Sequence, residues 1–270
     1  MHIVKAVIPA AGYGTRFLPF TKAVPKEMLP LINKPAIQYI VEEIMAANIE
    51  HCVIITTEQK QAIKDHFSPN QKLEKFLKQH NKLELLHSVQ KIIDSINFTY
   101  INQEEALGLG HAVSLAHDVV GNEYFAVLLP DDIILHSSSA IAQLIAIAQE
   151  KNAAVLAVQE MPTVALSSYG IIAVKQQLSP DLFAIQSVVE KPAPNRAPSN
   201  LAIIGRYILP PVIFKALQEI KPSNNGELQL TDALAWLLEH GHPIFAYKIQ
   251  GTRYDVGTPA GWLSAIHDLS

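Results

Sequence analysis

Residues 9–30 combine glycines and cations in an arrangement that could bind phosphate. Gly12 and Gly14 follow an apolar stretch, and glycine lets successive backbone N–H groups converge on an anion. Three cations stand in the same segment, namely Arg16, Lys22 and Lys26. The spacing predicts a cationic loop that binds a phosphate chain, with a solvated surface turn as the alternative.

Two common nucleotide-binding motifs do not match this segment. A Rossmann fingerprint requires a third glycine where Phe17 stands, and a P-loop requires Gly-Lys followed by Ser or Thr after four intervening residues. Three prolines, at positions 19, 25 and 30, instead predict an extended segment rather than the start of a helix. A dinucleotide-binding redox protein is therefore excluded.

Two carboxylates directly follow another apolar stretch. Asp131 and Asp132 come after residues 125–130, which have the composition of a buried strand. Carboxylates at a strand end suit a hard divalent cation that takes one or two protein ligands beside substrate phosphates. A simple strand-end turn is the alternative, because aspartate favours turns.

The residues around these motifs predict an α/β fold. Apolar stretches of strand length alternate with segments of helical periodicity, which is typical of βαβ units. The strands are predicted at residues 3–8, 52–56, 97–102, 125–130, 153–159, 171–174, 185–189, 197–207 and 244–249. The helices are predicted at residues 36–48, 103–112, 140–149 and 259–269, with a helical insertion at 59–95 and a helix within 226–234 that Thr231 caps.

Composition narrows the class of protein. A chain of 270 residues that is 49% hydrophobic can bury the core of one large domain. A net charge of −4 argues against a general nucleic-acid surface. Cys52 stands in an apolar stretch and is expected to pack as a small hydrophobe. Without a leader-like segment or a membrane-length apolar run, we expect a cytoplasmic protein with no membrane contact.

Several motifs together resemble the signature of the sugar-nucleotide pyrophosphorylases. They are Gly12-Tyr13-Gly14-Thr15-Arg16, then Pro25-Lys26-Glu27-Met28-Leu29-Pro30, then Lys34-Pro35, and the matches continue to Gly257. Within this family the chain is most similar to the bacterial branch that transfers uridylyl groups to glucose 1-phosphate. Val256 and Pro259 depart from the family pattern, and neither departure touches the metal chemistry.

The resemblance implies a fold and a domain organisation. The expected fold is a Rossmann-like, three-layer α/β/α nucleotidyltransferase fold with a mixed, mostly parallel central sheet. One domain would span residues 1–270, with a nucleotide-binding part at about 1–135, a sugar-binding part at about 136–258 and a C-terminal helix at 259–270. A homo-oligomer, either a dimer or a tetramer, is also expected.

The resemblance also implies a set of site residues. The catalytic residues would be Arg16, Lys26 and Lys191. The nucleotide would contact Ala11, Gly12, Gly14, Thr15, Gln103 and Gly108. The sugar phosphate would contact Gly170, Glu190, Lys191 and Gly205. Asp131 and Asp255 would bind Mg²⁺. His111, which stands close to Gln103 in sequence, is expected to pack or to cap a helix rather than to act as an acid or base.

The implied reaction joins UTP and α-D-glucose 1-phosphate to give UDP-glucose and pyrophosphate. Such a transfer needs positioned charge rather than a protein nucleophile, which agrees with the cations and carboxylates of the motifs. Two alternatives stay open. One is a related enzyme that uses another nucleoside triphosphate or sugar 1-phosphate, and the other is a non-catalytic homologue that binds a sugar nucleotide.

Overall fold

The computed structural model describes residues 1–223 and 226–270. The strands of these residues are β1 (Lys5–Pro9), β2 (Pro30–Leu31), β3 (Lys34–Pro35), β4 (His51–Thr56), β5 (Asn97–Asn102), β6 (Phe125–Leu128), β7 (Asp132–Leu135), β8 (Ala154–Glu160), β9 (Gly170–Gln177), β10 (Leu182–Glu190), β11 (Leu201–Leu209), β12 (Ile244–Lys248) and β13 (Thr252–Asp255). The α-helices are α1 (Ala36–Ala46), α2 (Gln61–His66), α3 (Gln71–Gln79), α4 (Leu83–Ser95), α5 (Leu109–Ser114), α6 (His117–Val120), α7 (Ala140–Lys151), α8 (Ile213–Glu219), α9 (Leu230–Glu239) and α10 (Pro259–Leu269).

A mixed sheet lies at the centre of the described residues, and its nine strands have the order β5-β4-β1-β6-β11-β8-β12-β10-β9. Parallel pairing joins β5, β4, β1 and β6, and it also joins β8 and β12. The strands β10 and β11 pair antiparallel with all of their neighbours. Seven of the nine strands therefore share one direction, which confirms the prediction of a mixed, mostly parallel sheet.

Apolar side chains cover both faces of this sheet. Along β1, Ala6 and Ile8 belong to one core and Val7 to the other, because successive strand residues face opposite sides. Helices α1 and α7 cover the first core, whereas α5, α8 and α9 cover the second. The predicted three-layer α/β/α arrangement is confirmed.

The predicted helical insertion consists of α2, α3 and α4. Ile63 of α2 and Ile92 of α4 are buried in the first core. The intervening α3 buries Leu77 but leaves Phe76 exposed. The insertion is thus attached to the sheet by its first and last helices.

A two-stranded ribbon outside the main sheet is absent from the predicted elements. In this ribbon β7 pairs antiparallel with β13, so that Asp132 lies opposite Asp255. The ribbon joins the segment that follows β6 to the segment that follows β12. It is the element that brings two distant acidic motifs together.

The prediction that the proline-rich segment is extended is wrong. Three 3-10 helices occur in it, at Thr15–Phe17, Phe20–Lys22 and Lys26–Met28. Pro19 and Pro25 stand directly before the second and third of these helices. The fixed φ of proline is compatible with entry into a helical turn as well as with extended chain, so the prolines do not exclude helical turns.

The prediction that Thr231 caps a helix is also wrong. Helix α9 begins one residue earlier, at Leu230, and the residue before it makes no side-chain capping bond. Thr231 lies within the first turn and donates a hydrogen bond to Glu190. The threonine contacts a predicted site residue instead of its own helix.

Within residues 1–223 and 226–270, none of the helices combines the length and the apolar character that crossing a membrane requires.

Candidate active site

Residues 10–14, here called the glycine loop, connect β1 to the first 3-10 helix. The Ala10 amide donates to the Ile55 carbonyl oxygen at 2.7 Å, which fixes the start of the loop to β4. Gly14 has a φ of 65°, and a Cβ there would lie 3.1 Å from the Cβ of Lys26. Glycine is favoured at position 14 because the backbone is left-handed and a cationic side chain approaches it closely.

The buried Lys60 side chain binds the glycine loop through two carbonyl groups. Its Nζ donates to the carbonyl oxygens of Ala10 at 2.6 Å and Gly12 at 2.7 Å, and to the Glu27 carboxylate at 2.9 Å. These contacts use the three donors of the ammonium group. Burial lowers the pKa of Lys60 and raises the pKa of Glu27, and each charge opposes the shift in its partner.

The Lys60–Glu27 pair also positions Lys26, the residue that precedes Glu27 in the chain. Glu27 is only 2% exposed and stands beside Lys26 in the same 3-10 helix. The contact with Lys60 therefore fixes the Lys26 backbone relative to the glycine loop. Breaking a buried ion pair by removing one partner costs about 3–5 kcal/mol, because the other charge stays buried.

Lys26 forms an ion pair with the first predicted metal ligand. Its Nζ donates to Oδ2 of Asp131 at 2.5 Å. Burial would raise the pKa of Asp131, but the Lys26 ammonium outweighs this, so the pKa lies below its ordinary value. The pKa of Lys26 is raised, because the neighbouring carboxylates outweigh its burial. Both groups are therefore charged at neutral pH.

Asp131 and Asp255 converge on Gly257. A Cβ built on Gly257 would lie 2.8 Å from Oδ2 of Asp131 and 3.1 Å from Oδ1 of Asp255. The Gly257 amide donates to Oδ1 of Asp255 at 3.1 Å, and its carbonyl oxygen accepts from Arg16 at 3.5 Å. The two carboxylates thus lie close to each other, and a side chain at position 257 would fill the space between them.

The carboxylate of the neighbouring Asp132 accepts hydrogen bonds from other residues of the protein. Its Oδ1 accepts from Nε of Arg253 at 2.6 Å, and its Oδ2 accepts from the Gly205 amide at 3.1 Å. Burial raises the pKa of Asp132 to about 6, although the Arg253 guanidinium opposes the shift. The Arg253–Asp132 pair connects the two strands of the ribbon that carries Asp255.

Gly205 is required by this contact. A Cβ at position 205 would lie 2.6 Å from Oδ2 of Asp132, a separation that a real Cβ does not tolerate. The sequence resemblance assigns Gly205 to the sugar, and that assignment stays a prediction. The structure adds a separate reason for glycine, which is the close approach of a buried carboxylate.

A second buried ion pair supports the same strand end. Arg206 is fully buried, and its guanidinium donates to Glu43 of α1 at 2.7 and 3.0 Å. It also donates to the carbonyl oxygens of Leu129 and Asp132. The turn that presents Asp131 is therefore hydrogen-bonded to a paired, buried cation.

The predicted base contacts lie beside a cavity of about 290 Å³. Gln103 is 4% exposed and lines this cavity with Ala11 and Tyr13. Gly108 precedes α5 with a φ of 96°, and a Cβ there would lie 2.8 Å from the Leu228 carbonyl oxygen. The structure thus places Ala11 and Gln103 at one cavity, with Gly108 adjacent to Gln103.

The predicted sugar contacts form a second group at the ends of β9 and β10. Gly170 pairs with Glu190 across these strands, and Thr231 donates to Oε2 of Glu190 at 2.7 Å. The Lys191 ammonium lies 3.2 Å from Oε1 of the same carboxylate. A residue with two accepting oxygens and an adjacent exposed cation suits a hydroxylated phosphate ester.

Tyr169 connects the second group to the two carboxylates. Its hydroxyl donates to Oδ2 of Asp255 at 3.3 Å, and its carbonyl oxygen accepts from the Lys191 amide at 3.0 Å. The predicted sugar and metal residues are therefore connected through one residue. Cys52 plays no part in the site, since that thiol is buried and burial raises its pKa.

Sequence reasoning missed the residues that hold the predicted ones in place. Gly12, Gly14, Thr15 and Arg16 all lie in or next to the glycine loop, and Thr15 and Arg16 are exposed there. The supporting residues include Glu27 and Asp132, which stand in the motifs described above without a predicted supporting role, and six residues elsewhere in the chain. Together they are Glu27, Glu43, Lys60, Asp132, Tyr169, Arg206, Thr231 and Arg253. A lone charge inside an apolar stretch, as at position 206, is the signal that could have found one of them.

Comparisons with known proteins show the family of this chain. The family model described as nucleotidyl transferase matches residues 5–270. The chain is 48% identical to a UTP-glucose-1-phosphate uridylyltransferase of Staphylococcus haemolyticus, over 97% of this chain and 90% of the relative. It is 43% identical to the enzyme of the same name in Pseudomonas aeruginosa, over 97% of this chain and 94% of the relative.

Solved structures give the same result. A UDP-glucose pyrophosphorylase complexed with UDP-glucose has a TM-score of 0.91 and 42% identity, covering 99% of this chain and 98% of that one. A UTP-bound UGPase from Acinetobacter baumannii has a TM-score of 0.90 and 39% identity, and the match covers 99% of this chain and 93% of that one. The chain belongs to the nucleotidyl transferase family, and its fold is that of the UDP-glucose pyrophosphorylases.

Proposed function

We propose that this chain is an enzyme that transfers the uridylyl group of UTP to α-D-glucose 1-phosphate, giving UDP-glucose and pyrophosphate. The observation that carries the proposal is the meeting of Lys26, Asp131 and Asp255 beside the glycine loop. Relatives 43% and 48% identical over nearly the whole chain bear the name of this activity. The proposal thus rests on one site and on named relatives.

The reaction requires one bond to form and one to break. A phosphate oxygen of glucose 1-phosphate attacks the α-phosphorus of UTP, and the bond from that phosphorus to the β-phosphate oxygen breaks, so pyrophosphate leaves. Charge neutralisation and alignment supply most of the catalysis in such a transfer. No protein group becomes covalently attached, which agrees with a site made of cations and carboxylates.

Different predicted residues would bind the two substrates. Arg16 and Lys26, with the backbone of the glycine loop, would bind the triphosphate. Lys191 would bind the phosphate of the attacking sugar, and Glu190 would accept hydrogen bonds from sugar hydroxyls. The Lys26 ammonium has three donors and gives one to Asp131, so it can contact a phosphate oxygen while keeping that ion pair.

The carboxylates of Asp131 and Asp255 fit a magnesium ion. Oδ2 of Asp131 and Oδ1 of Asp255 both lie beside Gly257. A hard cation that binds one or two carboxylates completes its coordination shell with water and phosphate oxygens. Within the described residues there is no cluster of three or more His, Cys, Asp or Glu side chains that could hold a metal ion. Bound there, Mg²⁺ would neutralise charge on the phosphates.

The proposal includes the organisation inferred from the resemblance. The nucleotide part would occupy about residues 1–135 and the sugar part about 136–258, within one domain. A homo-oligomeric state and a cytoplasmic location stay predictions of that resemblance.

A pyrophosphate-release assay tests the function. We would cross UTP, dTTP, CTP and GTP with the 1-phosphates of glucose, galactose, mannose and N-acetylglucosamine. UTP with glucose 1-phosphate should give the highest kcat/KM. Equal or faster turnover with dTTP would overturn the uridylyl assignment, and this arm matters because a putative thymidylyltransferase is also structurally similar, with a TM-score of 0.75 and 26% identity.

A further inference from the structure

The Gln103 amide is held by two hydrogen bonds inside the protein. Its Nε2 lies 2.8 Å from Nδ1 of His111 and 3.4 Å from the Gly108 carbonyl oxygen. Its backbone amide donates to the Thr56 carbonyl oxygen at 2.8 Å. Gln103 is therefore fixed at both its backbone and its side chain.

The identity of these partners decides which way the amide faces. A carbonyl oxygen can only accept, so the Gly108 carbonyl requires the NH₂ side of the Gln103 amide. Nδ1 of His111 must then accept as well, which places the imidazole proton on Nε2. Both amide protons are used within the protein, and the carbonyl oxygen Oε1 is the part of the amide left for a ligand.

We propose that His111 is a positioning residue for base recognition. By accepting from Gln103, it fixes the amide so that Oε1 faces the base and selects a hydrogen-bond donor. Uracil presents an N–H donor at position 3 of its ring, whereas cytosine presents an unprotonated, accepting nitrogen there. The inference rests on the proposed nucleotidyl transfer and assigns to His111 the discrimination of UTP against CTP.

The same geometry defines what His111 does not discriminate. Thymine carries the same N–H donor as uracil, so this contact cannot separate dTTP from UTP. Purine nucleotides differ in size as well as in hydrogen bonding. The ratio of kcat/KM for UTP to kcat/KM for CTP is therefore the readout that reports the orientation of Gln103. A general loss of structure would instead lower kcat/KM for both nucleotides together.

The decisive variants remove or preserve the acceptor. His111→Leu removes it, and His111→Phe removes it while keeping an aromatic ring. His111→Asn keeps an accepting oxygen near the position of Nδ1. His117→Leu is the matched control, because His117 is exposed on α6 and pairs with Asp118 rather than with Gln103.

We expect His111→Leu and His111→Phe to lower the kcat/KM ratio of UTP to CTP about tenfold or more, since the freed amide can rotate and pair with cytosine. The KM for glucose 1-phosphate should stay at the wild-type value. His111→Asn and His117→Leu should keep the wild-type ratio. Gln103→Leu combined with His111→Leu should lower the ratio no further than Gln103→Leu alone, because the two residues act through one contact.

Calorimetric binding of UTP and CTP, without sugar phosphate, gives a readout that does not require turnover. Wild-type protein should bind UTP more tightly, and His111→Leu should lose that preference. An equal loss of UTP and CTP binding in folded His111→Leu or His111→Phe would overturn the inference, as would loss of the ratio in His111→Asn. Wild-type protein that prefers UTP but transfers nothing would instead count against the proposed function.

Discussion

The proposed nucleotide side and the proposed sugar side of the site each contain a lysine-glutamate pair, and the two pairs differ in burial. The side chains of Lys60 and Glu27 are 10% and 1% exposed. The side chains of Lys191 and Glu190 are 53% and 23% exposed, with a longer separation of 3.2 Å. The first pair also holds two carbonyl groups of the glycine loop, whereas the Lys191 ammonium extends into solvent.

Under the proposed assignment, this difference in burial predicts how each substrate binds. Buried charges with complete hydrogen bonds are expensive to rearrange, so the nucleotide side keeps one geometry before substrate arrives. An exposed ammonium can exchange its partner, so Lys191 can leave Glu190 and bind a phosphate. The backbone of Lys191 is itself constrained, with a left-handed φ of 43° that is uncommon for a lysine.

Removing Lys60 should have the largest effect on stability. We expect Lys60→Met to lower the free energy of unfolding by about 3–5 kcal/mol, because Glu27 stays buried without its partner. Lys34→Met is the matched control, since Lys34 pairs with Glu42 at the surface at 2.7 Å. That control should change stability by less than about 1 kcal/mol. Equal effects in urea denaturation would contradict the contrast between buried and exposed pairs.

Neutralising a proposed metal-binding carboxylate should have the largest effect on turnover. Asp255→Asn keeps an oxygen for the Gly257 amide and a group that can bond to Tyr169, but it removes the charge. We expect kcat to fall about a hundredfold or more, with little change in thermal unfolding. Asp118→Asn, at an exposed position, is the control. Full activity of Asp255→Asn at limiting Mg²⁺ would exclude this residue from metal binding.

Lys191→Ala should show which of the two substrates each group of residues binds. We expect the KM for glucose 1-phosphate to rise about tenfold, with a lower kcat, because the ammonium is proposed to contact the sugar phosphate before and during the transfer. The KM for UTP should change little. Lys215→Ala removes an exposed lysine that pairs with Glu219, and it should leave all constants unchanged. A defect confined to UTP would show that Lys191 belongs to the nucleotide side.

The smallest effect should come from the glycine loop. Gly14→Ala should destabilise the protein by about 1 kcal/mol, because the left-handed backbone is strained by a Cβ. Gly12→Ala is the comparison, since among the described residues no atom lies within 4 Å of the Cβ position and φ is not left-handed. Equal Tm values for the two variants would contradict the assigned loop geometry.

The sequence predicted those parts of the site that lie in short, continuous motifs. Gly14 and Lys26 stand 12 positions apart in the chain and meet in the structure, so their spacing carried the information. The alternating apolar stretches predicted the layers in the same way, because strand and helix periodicities are local. The prolines were ambiguous, since one φ value suits both extended chain and 3-10 turns.

The supporting contacts could not be predicted in this way because they join distant segments. Lys60 reaches the glycine loop from the start of α2, and Arg253 reaches Asp132 across a ribbon that no local pattern predicts. For Gln103 the residue was predicted but the orientation of its amide was not. That orientation depends on His111 and on the carbonyl of Gly108, whose placement only the folded backbone determines.

Calorimetric titration of each substrate alone tests the contrast between the two sides most directly. We would measure UTP binding without glucose 1-phosphate, and glucose 1-phosphate binding without UTP, in wild-type protein and in Lys60→Met. Wild-type protein should bind UTP alone with a Kd close to its KM, and Lys60→Met should weaken that binding without changing the weaker affinity for the sugar phosphate. UTP binding that is undetectable until glucose 1-phosphate is present would contradict a nucleotide side that is formed in advance.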